Sequence, residues 1–149
     1  GTAVLVAVIA AIGLSGGGNE TAKSVAGGGG TGDASSSSFS MVPTAQCLEE
    51  RGYAVERNAS QFTDFAELLG EPVFEMSVFD PVEVDIGFLE SPEKADEAAR
   101  RLRDQWQATE KEYGTDLDSE KIRAVGNAVL HPGSGTPDES INALIDCLG

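Results

Sequence analysis

A stretch rich in glycine and serine divides this 149-residue chain and limits how much of it can fold. Gly or Ser occupies 15 of the 26 positions at residues 15–40. Such a stretch buries too little apolar surface to offset the entropy lost on ordering, so it is expected to be a flexible linker. The sequence therefore predicts an apolar segment at residues 1–14, a linker at 15–40 and a globular domain at 41–149. That domain is long enough for one modest hydrophobic core.

The apolar segment precedes the linker, and residues 3–12 form an unbroken apolar run, AVLVAVIAAI. This run is shorter than the roughly 20 residues that span a bilayer. A flexible linker would leave it nothing to pack against, so it is predicted to be an export signal or a membrane anchor. A buried core element is the alternative that stays open.

An apolar run, then Leu14, Ser15 and Gly16, then a Gly/Ser-rich stretch resembles the N-terminus of a bacterial lipoprotein. In that family a cysteine that carries the lipid follows the small residues, and here Gly17 takes its place. The resemblance covers the first 40 residues and implies export and tethering at the cell envelope, without a lipid at this position. An uncleaved single-span anchor is the competing interpretation.

The charge of the chain excludes some classes of partner. It carries 25 acidic and 10 basic side chains, for a net charge of −15. Nucleic acid and anionic membrane surfaces are also negative, so neither is an expected partner, and only the N-terminal segment is expected to meet a membrane. Residues 47–91 contain 11 acidic side chains and two basic ones, so a basic partner would suit that half.

The pattern of apolar residues from position 41 onward predicts an α+β domain. Helices are expected at 45–51 with Thr44 as N-cap, from Ser60 or Thr63 to 69, from Ser91 to 113, and after a Thr136 capping box. Strands are expected at 53–57, 73–79, 82–89 and 122–130. This order is β-α-β-β-α-β, a ferredoxin-like two-layer sandwich with an extra helix at each end. The fallback is a three-stranded antiparallel sheet with helices on one face.

The predicted hairpin at 73–89 has a register that charge burial restricts. Glu83 and Asp85 alternate with apolar residues and are expected to point outward. A two-residue loop would bury Glu75 opposite Ile86, so we predict a three-residue loop at 79–81 or a bulge beside it. The inward set is then Phe74, Met76, Val78, Val82, Val84, Ile86 and Phe88.

Cys47 and Cys147 fall in the first and last predicted helices. An exported chain meets an oxidising compartment, where two well-placed thiols pair, so a disulfide is predicted between them. Two buried free thiols in a cytosolic protein are the alternative.

The sequence contains no assignable catalytic or metal site. His131 is the single histidine; it precedes Pro132 and is expected to be exposed in a loop. A zinc or Cys-His site would need His131, Cys47 and Cys147 to converge, and zinc would still lack a fourth protein ligand. Asp116, Asp118 and Glu120 resemble the opening of a calcium loop without its later glycine and glutamate, so a solvated acidic loop is expected. No cofactor or metal is predicted.

Two functional hypotheses follow. The first is a non-catalytic extracytoplasmic module, membrane-anchored or secreted, that binds a protein, a peptide or an envelope component. Its candidate binding face is the sheet near Glu83 and Asp85. The second is a small envelope enzyme or metal-handling protein that uses acidic residues and His131. An exposed His131 with no converging carboxylates would remove the second hypothesis.

Overall fold

The computed structural model describes residues 38–149, so the predicted export segment at 1–14 and nearly all of the predicted linker lie outside the described residues. The elements are α1 (Met41–Glu50), β1 (Ala54–Arg57), α2 (Phe65–Leu69), β2 (Phe74–Asp80), β3 (Val84–Phe88), α3 (Pro92–Tyr113), a 3-10 turn (Ser119–Lys121), β4 (Arg123–Val125), β5 (Ala128–Pro132) and α4 (Asp138–Ile145). None of these helices is both long and apolar enough to cross a membrane.

The five strands form one antiparallel sheet in the order β1-β2-β3-β5-β4, so the α+β class is confirmed. The ferredoxin-like order is not found. The five-residue α2 is short for the crossover that connects parallel strands, and β1 instead pairs with β2 in the antiparallel direction. In addition, a turn at Gly126 and Asn127 splits the strand predicted at 122–130 into β4 and β5.

The helices cover both faces of the sheet, so the predicted two-layer arrangement and its one-faced fallback are both wrong. Ala45 and Leu48 of α1 share a core with Ile141 and Leu144 of α4 on one face. On the other face, Phe65 of α2 packs in a second core with the apolar stripe of α3, which contains Ala95, Ala98, Ala99 and Leu102. Both central strands, β3 and β5, are buried along their whole length because helices and loops cover them from both sides.

The inward face of the β2–β3 hairpin is confirmed for its core residues, but the predicted three-residue loop at 79–81 is not found: Val78 pairs with Val84, so residues 79–83 lie between them. Met76 pairs with Ile86 and Val78 with Val84, and their side chains lie in the core beneath α1 and α4. Glu75 pairs with Gly87 and therefore avoids the face of Ile86. Burial of the apolar residues and exclusion of Glu75 therefore predicted the inward face but not the pairing, and Phe74, predicted to point inward, is 69% exposed at the start of β2.

The predicted helix ends are correct for α3 and wrong for the start of α1. The prediction for α3 is confirmed: Ser91 Oγ accepts the Lys94 N–H at 3.3 Å, Pro92 is the first helical residue and Gly114 ends the helix at φ 66°. Helix α1 begins at Met41, before the predicted start at residue 45. Pro43 does not prevent this, because proline is tolerated in the first turn of a helix. Thr44 lies inside that helix and donates its hydroxyl to Ser40 O at 2.8 Å.

The predicted capping box before α4 is not formed. The Thr136 hydroxyl donates to Gly133 O at 2.8 Å in the preceding loop, and Pro137 is the N-cap residue.

The two ends of the described region meet beside the sheet. The Ser40 N–H donates to Gly149 O at 3.0 Å. Nearby in the chain, the Asn127 amide donates to Phe39 O at 3.1 Å and to Leu89 O at 2.8 Å. The segment that leads into α1 is therefore hydrogen-bonded to both the C-terminal residue and the β4–β5 turn.

Candidate functional site

A row of buried polar side chains crosses the sheet on the face covered by α2 and α3. Ser77 pairs with Asp85, and Asp85 pairs with His131, so the three residues are direct neighbours on β2, β3 and β5. Their exposed fractions are 1%, 0% and 3%. Buried polar groups are costly unless they form hydrogen bonds, so the partners of this row define the local structure.

Asp85 binds the loop that precedes α2. Its Oδ2 accepts the backbone N–H groups of Phe62 and Thr63, both at 2.9 Å, and its Oδ1 accepts that of Gln61 at 2.9 Å. Ser77 Oγ also donates to Oδ1 at 2.8 Å. We call the Asp85 carboxylate, the Ser77 hydroxyl and the N–H groups of residues 61–63 the Asp85 cluster. Three consecutive N–H groups around one carboxylate fix the conformation of this loop.

Gln61 completes the attachment of the loop. Its side-chain Nε2 donates to Ser77 Oγ at 2.7 Å and to Val78 O at 3.2 Å. The Ser77 hydroxyl therefore accepts from Gln61 while it donates to Asp85, which links the Gln61 side chain to the carboxylate.

His131 extends the polar row to β5 and contacts the same loop. Its Nδ1 is hydrogen-bonded to the Thr63 hydroxyl. The rings of Phe62 and Trp106 meet it edge-on, each with a centroid separation of 4.8 Å. Burial lowers the pKa of His131 to about 4, because the charged imidazolium is poorly solvated there. The imidazole is therefore neutral near pH 7.

Glu75 lies two residues before Ser77 on β2, on the same face of the sheet, and only one of its carboxylate oxygens has a hydrogen-bond partner. Ser60 Oγ lies 3.5 Å from its Oε1, whereas Oε2 is the one buried side-chain oxygen or nitrogen within residues 38–149 that lacks a hydrogen-bond partner. Burial raises the pKa of the Glu75 carboxyl above its usual value. The nearby charges of Asp64 and Asp85 raise it further, and a hydrogen bond from the Phe65 backbone opposes the shift.

A groove of about 440 Å³ lies above His131, between the loop, α2 and α3. We call it the α2–α3 groove. Its walls combine aromatic, aliphatic, acidic and amide side chains: Phe62, Thr63, Asp64, Glu67, Leu68, Leu102, Gln105 and Trp106. Since Phe62 and Thr63 donate their backbone N–H groups to Asp85, the Asp85 cluster positions one wall of this groove.

The structure corrects two predictions about site residues. Asp85 was expected to point to solvent beside Glu83, but it is fully buried, because three loop N–H groups and Ser77 satisfy its charge. His131 was expected in an exposed loop, but it lies in β5 beneath Phe62 and Trp106. Glu83 is exposed, as expected. Glu83 and Asp85 therefore do not form a joint exposed face.

Sequence reasoning missed the residues that join Asp85 to the groove. Ser77 was not predicted beside Asp85, because a loop at 79–81 would pair it with Glu83, and only the observed register places it opposite Asp85. Gln61 and Thr63 carried no sequence signal, since their roles depend on backbone N–H groups and on contacts at least 16 residues away in the chain.

The Thr63 hydroxyl and the His131 imidazole are the pair of groups here that most resembles a catalytic arrangement. Two further parts of such a site are missing from residues 38–149. No carboxylate is hydrogen-bonded to His131, and the three loop N–H groups, which are of the kind that binds an oxyanion, already bind Asp85. The low pKa of His131 also makes it a weak base.

The acidic loop after α3 is folded back on itself. Carboxylate oxygens of Glu110, Asp116 and Glu120 lie within 4.8 Å of one another. Glu110 already accepts hydrogen bonds from the Leu117 N–H and from the N–H and hydroxyl of Ser119. Asp118, predicted to alternate with Asp116 and Glu120, instead accepts the Gly135 N–H at 2.6 Å and lies 3.3 Å from Lys121 Nζ.

The structure places Cys47 and Cys147 at disulfide distance, in agreement with the predicted pairing. Their Cα atoms are 5.5 Å apart and their sulfur atoms lie within bonding distance. The pair connects the last turn of α1 to the residues just after α4 and lies on the sheet face opposite the groove. It is thus separate from the polar row.

No protein-family model, curated protein or solved structure matches the chain.

Proposed function

We propose that residues 41–149 form a non-catalytic binding module that works outside the cytoplasm at the cell envelope, anchored or released through its N-terminal segment. Its partner is a protein, a peptide or an envelope component, and the α2–α3 groove is the binding site. The observation that carries this proposal is a groove of about 440 Å³ with one wall held in place by the Asp85 cluster. Ligand sites are typically concave, partly apolar and preformed.

Preorganisation is what distinguishes this groove from an ordinary surface depression. Binding costs less when the contacting side chains are already ordered, because fewer torsions must be frozen. Phe62 lies on a loop whose N–H groups are bound to Asp85, and Trp106 packs against the buried His131. Both aromatic rings of the groove are therefore held by buried neighbours.

The location outside the cytoplasm is supported by two independent features. The apolar segment and Gly/Ser-rich stretch at the N-terminus resemble an export and tethering signal. Cys47 and Cys147 lie at disulfide distance, and disulfides persist mainly in oxidising compartments. A fusion of alkaline phosphatase after Gly149 should be active, because that enzyme needs an oxidising environment. An inactive fusion alongside an active cytoplasmic reporter at the same position would contradict the location.

Binding at the groove can be tested by photo-crosslinking in intact cells. A photoreactive amino acid replaces Gln105 or Glu67, which are exposed and line the groove, and Glu112 of α3 is the control outside it. The proposal expects one product shared by the Gln105 and Glu67 variants and absent from the Glu112 variant. A product of equal yield from all three positions, or none from the groove, would overturn it.

A small envelope enzyme or metal-handling protein is the second candidate function. The hydrogen bond between Thr63 and His131 favours the enzyme, because a hydroxyl next to an imidazole is the starting point of many nucleophilic sites. Its test is ester hydrolysis by the Thr63→Val variant, which keeps the shape of the side chain and removes the hydroxyl. Equal rates for this variant and the original protein would eliminate an enzyme that uses the Thr63 hydroxyl.

A further inference from the structure

The charges around the α2–α3 groove are all of one sign. Asp64 and Glu67 line it, and no lysine or arginine does so among the residues that the structure describes. Neither carboxylate forms a salt bridge within residues 38–149. One Asp64 oxygen accepts the Glu67 N–H at 2.8 Å as the cap of α2. The groove thus presents two exposed carboxylates that no cation neutralises.

The aromatic side chains of the groove complement this charge. Phe62 and Trp106 both line it, and aromatic rings attract cations through the negative potential of their faces. Their shared neighbour His131 is neutral near pH 7, so it adds no positive charge beneath them. Arg101, which lies on the same helix as Trp106, is paired with Glu97 at 2.5 Å.

We propose that the α2–α3 groove takes an arginine or lysine side chain of a basic peptide segment, with the cation between the aromatic rings and the carboxylates of Asp64 and Glu67. This inference rests on the proposed binding function and specifies its ligand. The groove is open to solvent along one side, which admits a side chain while its backbone stays outside. The acidic character of residues 47–91 supports a basic partner over an acidic one.

Trp106 is the single tryptophan of the chain, so its fluorescence reports directly on the groove. The 149-residue protein is titrated with the peptide acetyl-Gly-Gly-Arg-Gly-Gly-amide. The matched peptide has citrulline, which keeps the shape of arginine and lacks its charge. We expect a saturable change with the arginine peptide and a dissociation constant about tenfold higher for the citrulline peptide.

The carboxylates are tested with a double variant, Asp64→Asn and Glu67→Gln, which removes two charges and keeps a residue that can cap α2. Its preference for arginine over citrulline should disappear. The matched control is Glu83→Gln with Asp146→Asn, which removes two exposed charges outside the groove. The control should keep the full preference, and an equal loss in both double variants would show that only the net charge matters and would overturn the inference.

The outcomes separate this inference from the proposed function. Equal binding of both peptides would overturn the inference that the groove recognises a cationic side chain. It would leave the groove as a site for a neutral ligand. No fluorescence change with either peptide at millimolar concentration would also overturn the inference of a cationic ligand. In both cases the crosslinks from Gln105 and Glu67 still decide, by themselves, whether the groove binds a partner.

Discussion

At the scale of single residues, the polar row couples a few buried groups to the stability of the domain. His131 has a pKa near 4 in the folded protein and an ordinary value of 6.5. Between these values the unfolded chain binds a proton that the folded protein does not bind. The free energy of unfolding therefore decreases as the pH falls from 6.5 towards 4.

We predict that proton binding by His131 in the unfolded chain lowers the free energy of unfolding by up to about 3 kcal/mol across that pH range. Urea denaturation at pH 6.5, 5.5 and 4.5 measures it. The His131→Gln variant has no imidazole, so its stability should change much less between pH 6.5 and 4.5. Glu75 acts in the opposite direction, because its raised pKa lets the folded protein bind a proton more readily. Parallel pH profiles for the variant and the original protein would contradict the role of His131.

Asp85 is predicted to be the most sensitive position of the row. Three loop N–H groups donate to the Asp85 carboxylate, and Asn would place a side-chain NH2 donor against one or more of them. Asp85→Asn should therefore lower the free energy of unfolding by about 2–4 kcal/mol. Chemical denaturation measures the loss, and amide hydrogen exchange should accelerate at Gln61, Phe62 and Thr63. The exposed control Glu83→Gln should stay within about 0.5 kcal/mol. Unchanged exchange at residues 61–63 in Asp85→Asn would refute the prediction.

At the scale of elements, the sequence predicted local structure well and long-range order poorly. The caps of α3 and the inward face of the β2–β3 hairpin were specified by residues close together in the chain, such as Ser91 with Lys94. The strand order depends on pairing between β3 and β5, which are more than 35 residues apart. Asp85 was placed wrongly because the three backbone N–H groups that bind it lie more than 20 residues away on a loop without regular structure.

Helix α2 is attached to the sheet through a close contact that only glycine permits. A Cβ atom added to Gly87 of β3 would lie 2.9 Å from two ring atoms of Phe65. Gly87→Ala should therefore cost about 1–3 kcal/mol. The smaller side chain of Phe65→Leu should remove most of that cost in the double variant, and thermal denaturation of the four proteins measures the coupling.

The control for this double-mutant cycle is Gly114→Ala. Gly114 has no atom near its Cβ position, and its φ of 66° is unfavourable for alanine. Its cost arises from the backbone, so Phe65→Leu should not relieve it. An equal cost of Gly87→Ala with and without Phe65→Leu would show that the ring contact is not its cause.

At the scale of the whole molecule, the cysteine pair closes a long loop. Cys47 and Cys147 are 100 residues apart, and chain entropy assigns roughly 4.7 kcal/mol to a loop of this length as an upper figure. We predict that Cys47→Ser with Cys147→Ser lowers the free energy of unfolding by about 2–4 kcal/mol. A reducing agent should lower the stability of the original protein to the same level and leave the double variant unchanged. No effect of the reductant on the original protein would contradict the disulfide.

The hydrogen bond between Ser40 and Gly149 has a practical consequence. Both ends of the described region meet at one place, and α1 and α4 lie on the sheet face opposite the groove. A short peptide joining position 149 to position 40 could therefore produce circular permutants, with new ends opened in exposed loops. By the same geometry, a biotin tag after Gly149 would immobilise the protein on a sensor chip with its acidic, aromatic side turned towards the analyte.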